Sequence, residues 1–249
     1  MDFKDKVCVV TGGANGIGLC IAEEFLAKGA DVAVMDTDAT AGDLLLQKYG
    51  EKMFFARGDV VVEKDIADFV GEVLRWRRSV DFLTNNACAG SGGILSGMSF
   101  EDFNRVLISK ATAPYMLTKL FLPHFARDAA VVNIASTRAA QSQADTESYS
   151  AANGAMISLT HALSVSLAGK VRVNAISPGW IDTQNANWTD ADKKQHPAGR
   201  IGKPEDIAKM AMYLCSKNAG FITGQNFTID GGMSKLMTYH GDFGWSFEK

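Results

Sequence analysis

Apolar and polar positions divide the chain into short β-branched runs separated by segments whose apolar residues recur at helical spacing. Residues 6–11 form the first run, ended by Gly12-Gly13, and from Gly16 the apolar positions Ile17, Ile21, Phe25 and Leu26 keep a helical period. A second run, 31–35, stops at Asp36, and a helix over 41–49 leads to a third run about 53–56. The pattern repeats as a helix over 65–76, a fourth run at 80–84 and a loop rich in Gly, Ser and Asn over 85–97. Ser99 caps the next helix, with Asp102 three residues on as an approximate capping box, and Pro114 kinks or breaks it on the way to Phe125. Residues 129–135 read as a fifth strand, 149–168 as a long helix, and 171–177 as a sixth strand stopped by Pro178-Gly179. Pro204 opens a helix to about Lys217, and 226–229 closes the series. Between the sixth strand and the Pro204 helix, 184–202 has no clear period, and its length predicts a lid or binding loop. This alternation predicts one α/β domain, a doubly wound parallel sheet with helices on both faces.

Composition narrows the function classes. At 249 residues the chain suits a single domain that buries roughly three quarters of its unfolded surface. A net charge of −3, with no basic run beyond 75–78, argues against nucleic-acid binding. Cys8, Cys20, Cys88 and Cys215 fall in strand, helix, loop and helix without metal or CxxC spacing, which predicts free thiols in a reducing compartment. His124, His161, His196 and His240 are equally scattered, so no metal is expected. The absence of an apolar leader or an 18-residue apolar stretch predicts a soluble, cytoplasmic protein without membrane contact.

The chemistry begins at Thr11–Gly18, TGGANGIG, which follows a strand and opens a helix. Glycines at 12, 16 and 18 allow a tight turn and close approach, and the helix start turns N–H groups outward where a pyrophosphate would sit. Asp36, about twenty residues on at the tip of the second strand, would accept from both ribose hydroxyls and repel a 2′-phosphate. Asn15 stands where a cation would serve such a phosphate, so the expected cofactor is NAD.

Farther along, these residues resemble the short-chain dehydrogenase/reductase family over nearly the whole chain. TGGANGIG is similar to its TGxxxGxG turn, Gly58-Asp59-Val60 to its adenine-contacting Asp, Asn85-Asn86-Ala87 to the start of its NNAG motif, and Ser177-Pro178-Gly179 with Thr183 to its segment over the nicotinamide. The resemblance implies a Rossmann-like fold with a seven-stranded parallel sheet. It also implies a homotetramer that transfers hydride between a nicotinamide cofactor and a small-molecule alcohol or carbonyl. It assigns cofactor contacts to Gly12, Asn15, Gly16, Ile17, Gly18, Asp36, Asp59, Val60, Asn86, Ala87, Tyr149, Pro178, Gly179, Ile181 and Thr183. Ser136 would hold the substrate oxygen and Tyr149 would exchange its proton.

The chain departs from the family pattern where a Lys follows the Tyr by four residues, since Asn153 stands there, and where an Asn lies on the preceding long helix, since Lys110 stands there. It departs again at Cys88, the Gly of NNAG, a thiol that would narrow the site, sense redox conditions or be inert. Three readings of Lys110 and Asn153 are open: a reciprocal exchange that returns the ammonium to the site from another helix, an impaired centre, or a solvated Lys110 with another cation, such as Arg138, in its place. Arg138 would alternatively receive an anionic substrate group or be an exposed loop residue. Gln143, Trp180, Asn187 and Trp188 are expected about the substrate pocket, and the aromatic tail with Met237, Tyr239, Phe243, Trp245 and Phe247 against another subunit.

Overall fold

Strand β1 (Val7–Thr11) is buried at every position, which requires cover on both faces of its sheet. Its side chains alternate: Val7 and Val9 enter one apolar layer with Met35, Phe69, Leu83, Leu117 and Phe121, while Cys8 and Val10 enter the other with Ile21, Phe25, Phe82, Ile176 and Leu214. The computed structural model describes residues 2–242. Seven parallel strands stand in the order β3-β2-β1-β4-β5-β6-β7, with β2 at Asp31–Asp36, β3 at Met53–Arg57, β4 at Val80–Asn85, β5 at Phe125–Ile134, β6 at Val171–Pro178 and β7 at Asn226–Ile229. The order reverses between β1 and β4, so their carboxyl ends leave a crevice where helices diverge to opposite faces.

The helices are α1 (Gly16–Ala27), α2 (Ala39–Tyr49), α3 (Glu63–Trp76), α4 (Phe100–Leu107), α5 (Ala113–Phe121), α6 (Glu147–Ser166), a short α7 (Asp190–Lys194) and α8 (Pro204–Cys215). Several boundaries differ from the sequence pattern for local reasons. Asp38 caps α2 by accepting from Ala41 N at 3.0 Å, which starts that helix two residues early. β5 begins at Phe125, its pairing with β4 shifting register between Val80 and Phe82. Residues 184–202 hold a one-turn helix closed by a Thr189–Asp192 capping box.

The helix expected from Ser99 toward Phe125 is interrupted before Pro114, not at it. Pro114 has no N–H to give the carbonyl four residues back, which belongs to Lys110. Ile108–Thr112 winds as a π-turn, with Ala113 N bonded to the Ile108 carbonyl, and Pro114 then occupies the first turn of α5. In the tail, Met237 and Tyr239 are exposed, whereas Phe243, Trp245 and Phe247 lie outside the described residues. No described helix is long and apolar enough to cross a membrane.

Candidate active site

At the β1/β4 crevice the Gly-rich turn is packed to contact. Gly12 has φ of 61°, and a Cβ there would lie 2.9 Å from Ala87 Cα; one on Gly18 would lie 2.0 Å from the Gly12 carbonyl oxygen. Only glycine tolerates these positions. Asn86 locks the turn from β4, its amide donating to Gly12 O at 2.8 Å and Thr11 O at 3.2 Å. α1 carries no acidic residue in its first turn, and its N-cap Asn15 makes no side-chain cap. The Asn15 amide donates instead to Asp38 at 3.0 Å. The first-turn N–H groups are therefore left for an anion, as a dinucleotide pyrophosphate requires.

A cleft of about 450 Å³ runs past this turn, bounded by Gly12, Asn15, Asp36, Asp59, Val60, Asn86 and Ala87, all expected from sequence. Asp36 accepts from Ala14 N at 2.9 Å and Asp38 N at 3.1 Å, which fixes its carboxylate at the tip of β2. Arg105 on α4, which no local pattern marked, also lines the cleft and pairs with Asp59 at 2.9 Å. Gly16, Ile17, Gly18, Pro178, Gly179, Ile181 and Thr183 do not line it. Thr183 approaches α1, its Cγ2 lying 3.3 Å from where a Gly16 Cβ would be. Gly179 is pressed against Asp230. Ile181 bridges to Gly202 and faces a separate cleft of about 230 Å³, because its side chain is drawn to the α1/α8 core.

Farther into the crevice the π-turn supplies two buried groups. Ser109 Oγ accepts from Ala89 N at 3.2 Å. Lys110 is only 2% exposed, and its Nζ donates to Ile134 O at 2.8 Å, at the end of β5, and to Asn86 O at 3.3 Å, just past the end of β4. A solvated Lys110 is thereby replaced by a buried one. Burial lowers its pKa from the ordinary lysine value, offset in part by the Cys88 thiol. The ammonium ties the cofactor loop to the strand that carries Ser136.

Ser136 and Tyr149 come together as expected. Burial, then the nearby Cys88 thiol, push the Tyr149 phenol above its usual range; the Ser136 hydroxyl, the Asn153 side chain and the Arg138 cation offset part of this. Asn153 is fully buried, donates to the Tyr149 carbonyl at 2.8 Å, and leaves Oδ1 without a partner. Cys88 is exposed, lines the cleft and approaches the Gly90 carbonyl at 3.5 Å. Beyond it, Gln143 accepts from Arg138, Trp180 meets Trp188 edge-on at 4.7 Å, and Asn187 is exposed.

A switch-point cleft with a glycine-built anion cradle and a Ser–Tyr pair beside it defines a dinucleotide-binding oxidoreductase. A family model described as Enoyl-(Acyl carrier protein) reductase matches residues 12–234. An uncharacterized oxidoreductase of Thermotoga maritima is 39% identical, over 95% of this chain and 99% of its own. A 3-oxoacyl-[acyl-carrier-protein] reductase FabG of Chlamydia pneumoniae is 33% identical, over 92% and 97%. An apo SCOR enzyme from Clostridium thermocellum superimposes with a TM-score of 0.91 at 39% identity, covering 98% of this chain and 99% of that one. The chain belongs to the short-chain dehydrogenase/reductase family. It is an oxidoreductase of that family, whose members bind a nicotinamide cofactor.

Proposed function

We propose that this protein transfers hydride between NAD(H) and a secondary alcohol or ketone, such as a sugar, polyol, steroid or other cyclic alcohol, and works as a cytoplasmic homotetramer. One observation carries the reading: the Tyr149 phenol meets the Ser136 hydroxyl and feels the Cys88 thiol, which itself lines the Gly12–Asp36 cleft. The nicotinamide, when bound, donates or accepts the hydride. Ser136 holds the substrate oxygen, and the Tyr149 phenol, protonated at neutral pH, gives its proton to a ketone being reduced. NAD is favoured because Asp36 puts a carboxylate on the cleft at the tip of β2, where it would accept from ribose hydroxyls and repel a 2′-phosphate, while Asn15 is engaged by Asp38. The cleft's Arg105 is already paired with Asp59. Val165 and Phe221, 76% and 103% exposed in the single chain, support burial against other copies.

Lys110 and Asn153 are read as an exchanged pair. The buried ammonium supplies the site's positive charge from the π-turn, and the orphaned Asn153 Oδ1 is an acceptor for a ribose hydroxyl or a bridging water. On this reading Lys110→Ala cuts turnover by orders of magnitude while NAD affinity falls less. The double change Lys110→Asn, Asn153→Lys recovers much of the activity, and normal turnover in Lys110→Ala sinks the exchange. The rival reading, a nucleotide-binding protein with an impaired centre, draws on the engagement of Lys110 by carbonyls instead of the phenol. NADH and NADPH binding by fluorescence, with turnover assays on ketones, 3-oxoacyl thioesters and matched alcohols, separates the two. NADH binding without turnover on any substrate favours the rival.

A further inference from the structure

Arg138 lies two residues past Ser136, in the 3-10 turn Thr137–Ala139. Its main-chain N–H donates to Ser136 Oγ at 3.2 Å, so the turn that carries the guanidinium is fastened to the hydroxyl assigned to the substrate oxygen. The side chain is half-buried. Its Nη2 donates to Gln143 Oε1, while Nη1 is buried and has no partner. No carboxylate pairs with it among the described residues. Asp145 and Glu147, which precede and open α6, turn their carboxylates elsewhere: Asp145 accepts from Leu95 N and Ser96 N at 2.8 and 2.9 Å, and Glu147 from Ile94 N at 3.3 Å.

A partly desolvated cation with unused donors and no counterion costs free energy that a ligand's charge would recover. A guanidinium binds a carboxylate by charge-assisted hydrogen bonds, and Gln143 holds this one in a fixed orientation. We infer that Arg138, oriented by Gln143, is the anion-recognising element of the substrate site, and that the substrate is a hydroxy or oxo acid whose carboxylate lies away from the reacting carbon. This rests on the alcohol/ketone chemistry proposed for Ser136 and Tyr149. The same cation draws the Tyr149 phenol toward ionisation. A carboxylate seated on Arg138 cancels that pull and keeps the phenol in its proton-donating form while an oxo acid is reduced.

The test reads binding, not turnover. Butyrate against butyramide, and benzoate against benzamide, are titrated into the enzyme–NADH complex of the wild type, Arg138→Gln, Arg138→Lys and Gln143→Ala, with NADH fluorescence as the signal. The wild type should hold at least one acid roughly tenfold to a hundredfold more tightly than its amide, as a charge-assisted bond implies. Arg138→Gln should abolish that preference, and Arg138→Lys and Gln143→Ala should keep part of it. NADH affinity and circular dichroism check that each variant is folded, and the Lys variant decides if the Gln variant is not. Equal binding of acid and amide by the wild type for both pairs, or an undiminished preference in folded Arg138→Gln, overturns the inference. Acid preference without turnover on any alcohol or ketone leaves Arg138 an anion site and defeats only the hydride-transfer reading.

Discussion

Cys88 carries a thiol into a cleft where the family turn has glycine, and that thiol is the second-largest influence raising the Tyr149 phenol. Alcohol oxidation needs the phenolate, so its rate rises with pH through the phenol pKa. Cys88→Gly removes one raising influence and should move this limb to lower pH; a limb that stays put would show that the thiol does not reach the phenol in the working complex. Asp36 belongs to the same scale. Asp36→Ser with Asn15→Arg removes a carboxylate and adds a cation at the β2 tip, so NADPH binding should tighten at least tenfold relative to NADH, as a charge-assisted contact predicts. Gly12, Asp36 and Asp59 were legible as cleft residues because each sits at or just past the end of a parallel strand, where the crevice opens. Arg105 was not, since its partner Asp59 lies 46 residues away and only the packed fold joins them. Ile181 is likewise placed by tertiary packing, bridging to Gly202 at the edge of a core cluster.

Among the elements, the segment 92–96 and α6 depend on each other. Two amides of the segment end on Asp145, Ser148 Oγ donates to Gly92 O at 2.7 Å, and a Cβ on Gly93 would displace the Glu147 carboxylate and lie 2.9 Å from the Asp145 main chain. The backbone bond from Ser96 holds the Asp145 carboxyl below its ordinary pKa. Its latch is therefore complete above the usual Asp range and lost as pH falls through the lowered folded value. Asp145→Ala should speed hydrogen exchange at Leu95 and Ser96 and raise KM more than it lowers kcat. Unchanged exchange at both amides would exclude the latch. Strand and helix types were legible wherever a hydrophobic period ran past two turns. The π-turn was not, because the missing Pro114 donor can be answered by a kink, a break or a wider turn, and side chains at Ser109 and Lys110 decide which.

For the whole molecule, the buried ammonium of Lys110 links stability to pH. Its folded pKa lies below the ordinary 10.5, so between those two values the unfolded chain holds a proton that the folded chain releases. Stability contributed by this group rises with pH across that window, by at most about 1.4 kcal/mol per pH unit, and is flat below it. Denaturant midpoints of the wild type and Lys110→Met, followed through the alkaline range, should diverge in the wild type's favour as pH rises; parallel curves would mean that the lysine is not depressed. The thiols of Cys8 and Cys215, raised chiefly by burial, act equally on both proteins and cancel in the difference. The parallel sheet with helices on both faces was readable from strand–helix alternation, since crossover helices join parallel strands; the order β3-β2-β1-β4-β5-β6-β7 is set by packing and was not. What no alternation reveals is the surplus residue in Ile108–Thr112. A π-turn spans one residue more than the α-helical count allows, so deleting Ala111 would let the chain run on as an ordinary helix while rotating α4 by about 100° relative to α5. The Lys110 ammonium would leave its two carbonyls. Chain length at this turn therefore guards the site alongside the identity of Ser109 and Lys110: a one-residue deletion that regularises the helix should disable the enzyme even though it leaves both side chains in the chain.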